Sequence, residues 1–182
     1  MSTRVFITGA FKTATSSMLA AMNMHPDFYM LFELYDTPKM RPRFLEFYPD
    51  AAFINKNLNR EELYVETEKF IAKKGYNYKY FGDKIATSDK TMNYQMLQEL
   101  DKLGDYIIFM IRDLQYWTAK MVRMPKHIKY FSPTCNIAEM VFKYIAYFLN
   151  SYKISCIHIK TEELISNKLD WVNKISNYIA FF

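Results

Sequence analysis

Residues Arg4 to Glu33 read RVFITGAFKTATSSMLAAMNMHPDFYMLFE, and this stretch decides the fold. It opens on Val5-Phe6-Ile7, an apolar run too short for a helix and built from strand-forming residues. Gly9 interrupts the run and permits a tight turn. Lys12, Thr13, Thr15, Ser16 and Ser17 then crowd together with only Ala14 between them. From Thr15 onward Met18, Leu19 and Met22, with the small Ala20 and Ala21, predict an apolar helix that ends before His25-Pro26. A strand, a hydroxyl-rich turn and a helix in that order make a phosphate cradle. The free N–H groups at the helix start point at the anion, the helix dipole favours negative charge, and a lysine supplies the counter-charge.

The nucleotide-binding P-loop is written G-x-x-x-x-G-K-[ST]. Here Gly9 is followed at the same spacing by Ala14-Thr15-Ser16, so alanine replaces the second glycine and no lysine comes after it. The lysine stands two positions earlier, at Lys12. That order resembles the sulfotransferase form of the loop, G-x-P-[KR]-[ST]-G-T-[ST], which this chain renders as Gly9-Ala10-Phe11-Lys12-Thr13-Ala14-Thr15-Ser16. In that family the helix is commonly followed by His-Pro, as at His25-Pro26, and by a strand leading to a glutamate, as at Glu33.

Composition agrees with one globular domain spanning 1–182. The chain is 51% hydrophobic, enough to bury a substantial core, and its 18% aromatic content suits an aromatic-lined pocket. Glycine is scarce, so no flexible linker or low-complexity tract is expected. The net charge of +5 favours an anionic ligand, while the scatter of the basic residues argues against nucleic acid as partner. Cys135 and Cys156 form no metal-ligand pattern and no disulfide framework. No apolar stretch approaches the length of a membrane span, and the chain enters its first strand too soon for a signal peptide, so a soluble cytoplasmic protein is expected.

Beyond the first helix, Phe28 to Phe32 predicts a second strand, expected beside the first so that Glu33 comes near the lysine loop. Leu34 to Asn57, with Pro38, Pro42 and Pro49, reads as a long ordered loop and part of an acceptor site. Asn59 caps a helix that Gly75 stops near Lys74. Tyr78 to Lys84 reads as a third strand running into a Gly82-Asp83-Lys84 turn, similar to the family's G-[DE]-K triplet. Asn93 to Leu103 predicts an amphipathic helix with Met96, Leu97 and Leu100 on its inner face.

Tyr106 to Ile111 is a near-continuous apolar run, the pattern of a parallel strand buried on both faces. Arg112 stands at its end and a helix-compatible segment follows Asp113. A strand ending in arginine before a helix resembles the family's 3′-phosphate site, R-[DN]-P-x-x-x-x-x-S. Leu114 replaces the proline, and Lys120 stands where the serine is expected. The structural alternative for Arg112 is a salt bridge with Asp113 or Glu99. Arg123 to Phe131 reads as a basic, aromatic loop. Asn136 to Ser151 is an apolar helix with Met140, Tyr144, Tyr147 and Phe148 as a core stripe, and Ile154 to Ile159 is a last strand with His158 packed inside it. Lys160 to Leu164 resembles the family's Y-E-D-L turn, and an apolar helix runs from about Leu169 to Phe182.

The alternation of strands and helices predicts an α/β fold, a mainly parallel sheet of about five strands with helices on both faces. The resemblance implies a P-loop NTPase-like version of it and transfer of a sulfuryl group from 3′-phosphoadenosine 5′-phosphosulfate (PAPS) to an acceptor hydroxyl or amine, with no metal. It also implies roles. Lys12 and the N–H groups of Thr13, Ala14, Thr15 and Ser16 hold the 5′-phosphosulfate, with Lys12 also stabilising the leaving group. Arg112 and Lys120 hold the 3′-phosphate, and Glu33 takes the acceptor's proton, with His25 and Asp83 as competing bases. The family's C-terminal glycine-containing loop over the nucleotide has no counterpart after the last predicted helix. Two other classes share the scaffold: a nucleotide kinase or NTPase, for which Asp113 is the candidate metal-binding aspartate, and a non-catalytic nucleotide-binding module.

Overall fold

The computed structural model of the chain describes residues 2–37, 39–85, 92–123, 136–166 and 168–180. Its centre is a five-stranded sheet in which every pairing is parallel. The strands are β1 (Thr3–Gly9), β2 (Phe28–Phe32), β3 (Tyr80–Lys84), β4 (Tyr106–Ile111) and β5 (Cys156–Lys160), in the spatial order β2-β3-β1-β4-β5. Alternation along β1 sorts the core into two layers. Val5 and Ile7 pack with Met18 and Met22 of α1 (Thr15–Asn23) and with Val172 and Ile175 of a C-terminal helix, Lys168–Ala180. Phe6 faces the other way, onto Leu63 and Tyr64 of α3 (Arg60–Lys73) and Leu100 of α4 (Tyr94–Leu103). Phe109 of β4 continues this second layer against Trp117 of α5 (Leu114–Val122) and Met140, Tyr144 and Tyr147 of α6 (Ile137–Ser151). Helices therefore cover both faces, as the alternating pattern predicts.

Many boundaries follow from local chemistry. Asn59 and Asn136 close capping boxes with Glu62 and Glu139, and Asn93 caps α4 by accepting from the Met96 N–H. Gly75 ends the α3 segment at φ 84°. Four expectations need correction. The segment 34–57 is not a loop throughout: it holds α2 (Met40–Phe47) and a 3-10 turn, Ala52–Asn55. Pro42 does not break α2 because it lies in the first turn, where its missing N–H has no intrahelical partner to lose. Gly82, Asp83 and Lys84 do not form a turn but complete β3. A Cβ at Gly82 would fall 1.6 Å from the Val5 carbonyl oxygen, so close strand approach, not turning, accounts for the glycine. Lys160 ends β5, and Thr161–Ser166 is a short helix, α7, which makes the C-terminal helix α8. Nearly all of the expected loop after Arg123, together with Cys135, lies outside the described residues.

The fourth correction concerns strand order. β2 does not lie beside β1; β3 fills the place between them, with Ile7 opposite Lys84 and Phe32 opposite Lys84 on its other side. Burial explains the choice. All of β3 is buried, as an interior strand must be, whereas Phe32 of β2 stays exposed at the sheet edge. That edge is blunted by the Asn23 amide, which donates to the Met30 carbonyl at 2.9 Å and accepts from the Met30 N–H at 2.8 Å.

Under α3 lies a buried polar network. The Arg60 guanidinium is bidentate to Asp36 at 2.6 and 3.1 Å and bonds Glu99 at 2.8 Å. Tyr64 donates to Asp83 Oδ2 at 3.0 Å, and the Leu34 N–H bonds the same oxygen at 3.1 Å. Oδ1 of Asp83 is buried without a hydrogen-bond partner among the described groups. Burial, then repulsion from Asp36, pushes the Asp83 carboxyl up to about 7. The folded chain thus binds a proton that the unfolded chain releases near pH 4, so this group's contribution falls as pH rises from about 4 to about 7. The slope approaches about 1.4 kcal/mol per pH unit. Asp83→Asn keeps the acceptor oxygen and removes the charge. Urea titrations between about pH 5 and pH 8 should show a flatter stability profile for the variant and a stability gain at the alkaline end; parallel profiles would refute the assignment.

Candidate functional site

The turn between β1 and α1 is shaped by three backbone positions. Gly9 has φ 148°, and a Cβ there would sit 2.5 Å from the Met110 carbonyl oxygen and 2.7 Å from Thr13 Oγ1. Lys12 and Ala14 are left-handed, at φ 67° and 61°. With Ala14 at the N-cap, the N–H groups of Ala14, Thr15 and Ser16 bond no carbonyl among the described residues and converge at the start of α1. This is the nest of donors that an anion fits. The Thr13 N–H is excluded from it, being bonded to the Ala10 carbonyl at 3.2 Å. The Thr13 hydroxyl bonds that same carbonyl at 2.7 Å and is fully buried, so it shapes the turn rather than facing a ligand. Ser16 is exposed. The Lys12 ammonium lies 4.8 Å over the Phe11 ring and has no ion pair among the described residues.

Three elements hold this turn from outside. The indole N–H of Trp117 in α5 donates to the Phe11 carbonyl, and Trp117 is itself fully buried and stacked on Tyr144. The Thr161 hydroxyl, at the β5–α7 junction, stands 2.9 Å from both the Thr13 and the Ile111 carbonyl oxygens. Arg112, just past β4, reaches the Lys12 carbonyl with a terminal nitrogen at 3.3 Å. Its backbone is pinned by the Tyr144 hydroxyl.

Arg112 pairs with neither of the acids expected as its structural partners. Asp113 caps α5 by accepting from the Gln115 N–H, and Glu99 belongs to Arg60. Its Nε lies instead 3.7 Å from Glu162 Oε1, an ion pair too long for a hydrogen bond, and has no hydrogen-bond partner among the described groups. The Glu162 carboxylate therefore balances the Arg112 charge without satisfying its Nε–H. Lys120 stands exposed in the last turn of α5, roughly 9 Å along the axis from its start, and among the described residues no hydrogen bond or ion pair joins it to the turn.

Glu33 follows β2 directly, with φ 52°, and lies two strands from the turn, not one. Lys84 spans the difference. At the end of β3 it forms an ion pair with one Glu33 oxygen, while Thr37 donates to the other at 2.8 Å. The Lys84 ammonium is nearly buried and sits 4.8 Å over the Phe32 ring. Lys84 belongs to the triplet similar to the family's G-[DE]-K but is not among the expected site residues; its signal is a basic residue closing an otherwise buried strand. Asp83, a competing base, is fully buried against Tyr64. His25 accepts from the Asp27 N–H at the opposite end of β2. His158 is half-buried on the edge strand β5, stacked on Tyr152.

No protein-family model and no curated protein sequence matches the chain. Solved structures do resemble it. A sulfotransferase from Alicyclobacillus acidocaldarius superposes with a TM-score of 0.57 at 14% identity, covering 99% of this chain and 81% of that one. The sulfotransferase domain of the Synechococcus PCC 7002 olefin synthase gives 0.56 at 15% identity, covering 98% and 74%. Shikimate kinase from Bacteroides thetaiotaomicron gives 0.50 at 9% identity, covering 98% of each chain. At such identities the likeness is one of fold, and the chain has the αβα P-loop-like fold that sulfotransferases and P-loop kinases share.

Proposed function

We propose that the chain is a transferase that moves a sulfuryl group from PAPS to an acceptor hydroxyl or amine. The observation that carries this reading is the position of Lys12: left-handed, without an ion pair among the described residues, and ahead of the unspent N–H groups of Ala14, Thr15 and Ser16. The residues fit the donor molecule. Lys12 and the three N–H groups would hold its 5′-phosphosulfate, and the Arg112 guanidinium, exchanging Glu162 for a phosphate, would meet the 3′-phosphate, with Lys120 as an outer cation. In the transfer, the acceptor oxygen forms a bond to sulfur as the bond from sulfur to the bridging phosphate oxygen breaks. The electron pair stays on that oxygen, and the acceptor's proton passes to Glu33. Charge grows on the leaving phosphate, where Lys12 and the helix start can stabilise it.

The shared fold keeps a kinase reading in view, but the residues serve it poorly. No lysine follows Ala14, Asp113 is a helix cap, and Asp83, at the end of the strand beside β1, is buried against α3.

The ligand can be tested directly. Adenosine 3′,5′-bisphosphate should raise the melting temperature more than ATP with magnesium, by mass-action stabilisation of about 2.7 kcal/mol at a hundredfold excess over Kd. Arg112→Ala should weaken the bisphosphate more than the 5′-monophosphate, because only the former has a second phosphate. Lys12→Ala should weaken both. A larger shift from ATP with magnesium would replace this reading with the kinase one, and equal losses at Arg112 would make it a buttress of the Lys12 carbonyl alone.

Glu33→Gln preserves shape and removes the base. Nucleotide affinity should not fall, since Lys84 loses only its neutralising carboxylate, while sulfuryl transfer across a panel of acceptors drops by about a hundredfold to ten-thousandfold. Because the change also leaves Lys84 without its carboxylate, the folded fraction is checked by circular dichroism at the assay temperature. Unchanged turnover in folded Glu33→Gln would place the base elsewhere.

A further inference from the structure

Along the outer edge of β2, under α2, runs a cavity of about 740 Å3. Its floor is Phe28 and Phe32, and its roof is Met40, Phe44 and Phe47. The rim is unusually apolar for a surface: Met24 is 75% exposed and Phe47 79%. The volume falls in the range that encloses a small organic ligand. At one end Phe32 and Leu34, both lining the cavity, flank Glu33 in the chain.

Wall chemistry narrows the occupant. A peptide strand would need the backbone groups of the β2 edge, but the Asn23 amide already occupies both groups of Met30 at its middle. A sugar would need many hydrogen-bond partners, yet the Tyr29 and Tyr48 hydroxyls bond each other at 2.9 Å. What is left over is positive. Arg43 lines the groove, is exposed and pairs with no acid among the described residues. Lys39 is exposed one turn before it.

We propose that this groove is the acceptor site and that it takes an amphiphilic anion. The apolar body lies against the Phe28–Phe32 strand, the acidic group meets Arg43, and the hydroxyl to be sulfated sits at the Glu33 end. A five-residue strand is about 17 Å long, which suits a medium-chain hydroxy acid. The assignment of acceptor rests on the sulfuryl-transfer reading; the occupant's chemistry rests on the groove.

The probe is ω-hydroxydodecanoate, titrated calorimetrically below its micellar concentration, beside its neutral methyl ester and N-acetylglucosamine. The acid should bind saturably with one site, and the sugar should not bind. Arg43→Gln should weaken the acid about fivefold and leave the ester unchanged. Phe47→Ser, at an exposed position, should weaken both. With PAPS present, the acid should be sulfated at its hydroxyl and adenosine 3′,5′-bisphosphate released in equal amount. If the acid binds with this variant pattern but no acceptor is ever sulfated, the transfer reading fails and the groove's chemistry stands. If other acceptors are sulfated while the acid neither binds nor competes, the groove assignment is overturned. It is equally overturned if the free acid does not bind but phosphatidylserine vesicles sediment the protein in an Arg43- and Phe47-dependent way, which would make the patch a membrane contact.

Discussion

The turn from Gly9 to Ala14 holds a shape that its own residues oppose, and the site depends on that shape being enforced. A non-glycine residue in the left-handed region costs roughly 1–2 kcal/mol, and Lys12 and Ala14 both lie there. The cost is met by contacts from three later parts of the chain: Trp117 on the Phe11 carbonyl, Arg112 on the Lys12 carbonyl and Thr161 on the Thr13 carbonyl. Satisfying those carbonyls from behind turns the Ala14, Thr15 and Ser16 N–H groups forward. The third non-glycine residue with positive φ among those described is Glu33. All three therefore lie in the candidate site, where strain over-determined by its surroundings is most often found.

Strand order then decides which charges meet. With β3 between β1 and β2, the C-terminal edge of the sheet carries, in sequence across it, Glu33, Lys84 and the Lys12 turn. Ligands of open α/β sheets bind at that edge. Gly82 makes the arrangement possible, because β3 can approach Val5 only without a side chain at that point. The buried network beneath ties Leu34, the residue after Glu33, to Asp83, and Asp83 to Tyr64 of α3. A change in that network would be felt at Glu33 through the backbone.

What could be read from the sequence was what local chemistry fixes. Strand-turn-helix around Gly9, the Asn caps of α3, α4 and α6, and the apolar run of β4 each carry their own signal within a few residues. The five-strand parallel sheet followed from their alternation. Strand order did not follow, because nothing local to β2 says that β3 will enter between it and β1. Gly82-Asp83-Lys84 misleads for a related reason: its residue types suit a turn, while the constraint on Gly82 is the neighbouring strand's carbonyl. The clamp on the turn was likewise invisible, since Trp117 and Thr161 lie 106 and 148 positions from the carbonyls they bond.

The Lys84–Glu33 pair gives the proposed chemistry a coupling that neither residue would provide alone. The Glu33 side chain is only 17% exposed and Lys84 8%, so each charge depends on the other for compensation in a partly desolvated place. In the proposed transfer, uptake of the acceptor's proton by Glu33 would remove its negative charge and leave the Lys84 ammonium uncompensated. In sulfuryl transfer, negative charge accumulates at the same moment on the leaving phosphate at the Lys12 turn, one strand away. Lys84 stands between the two. Its field, neutralised by Glu33 in the resting state, then favours the charge developing at the turn, and favours it more in the transition state than in the ground state. Differential stabilisation of that kind lowers a barrier, whereas a fixed, permanently unpaired lysine would tighten donor and transition state alike.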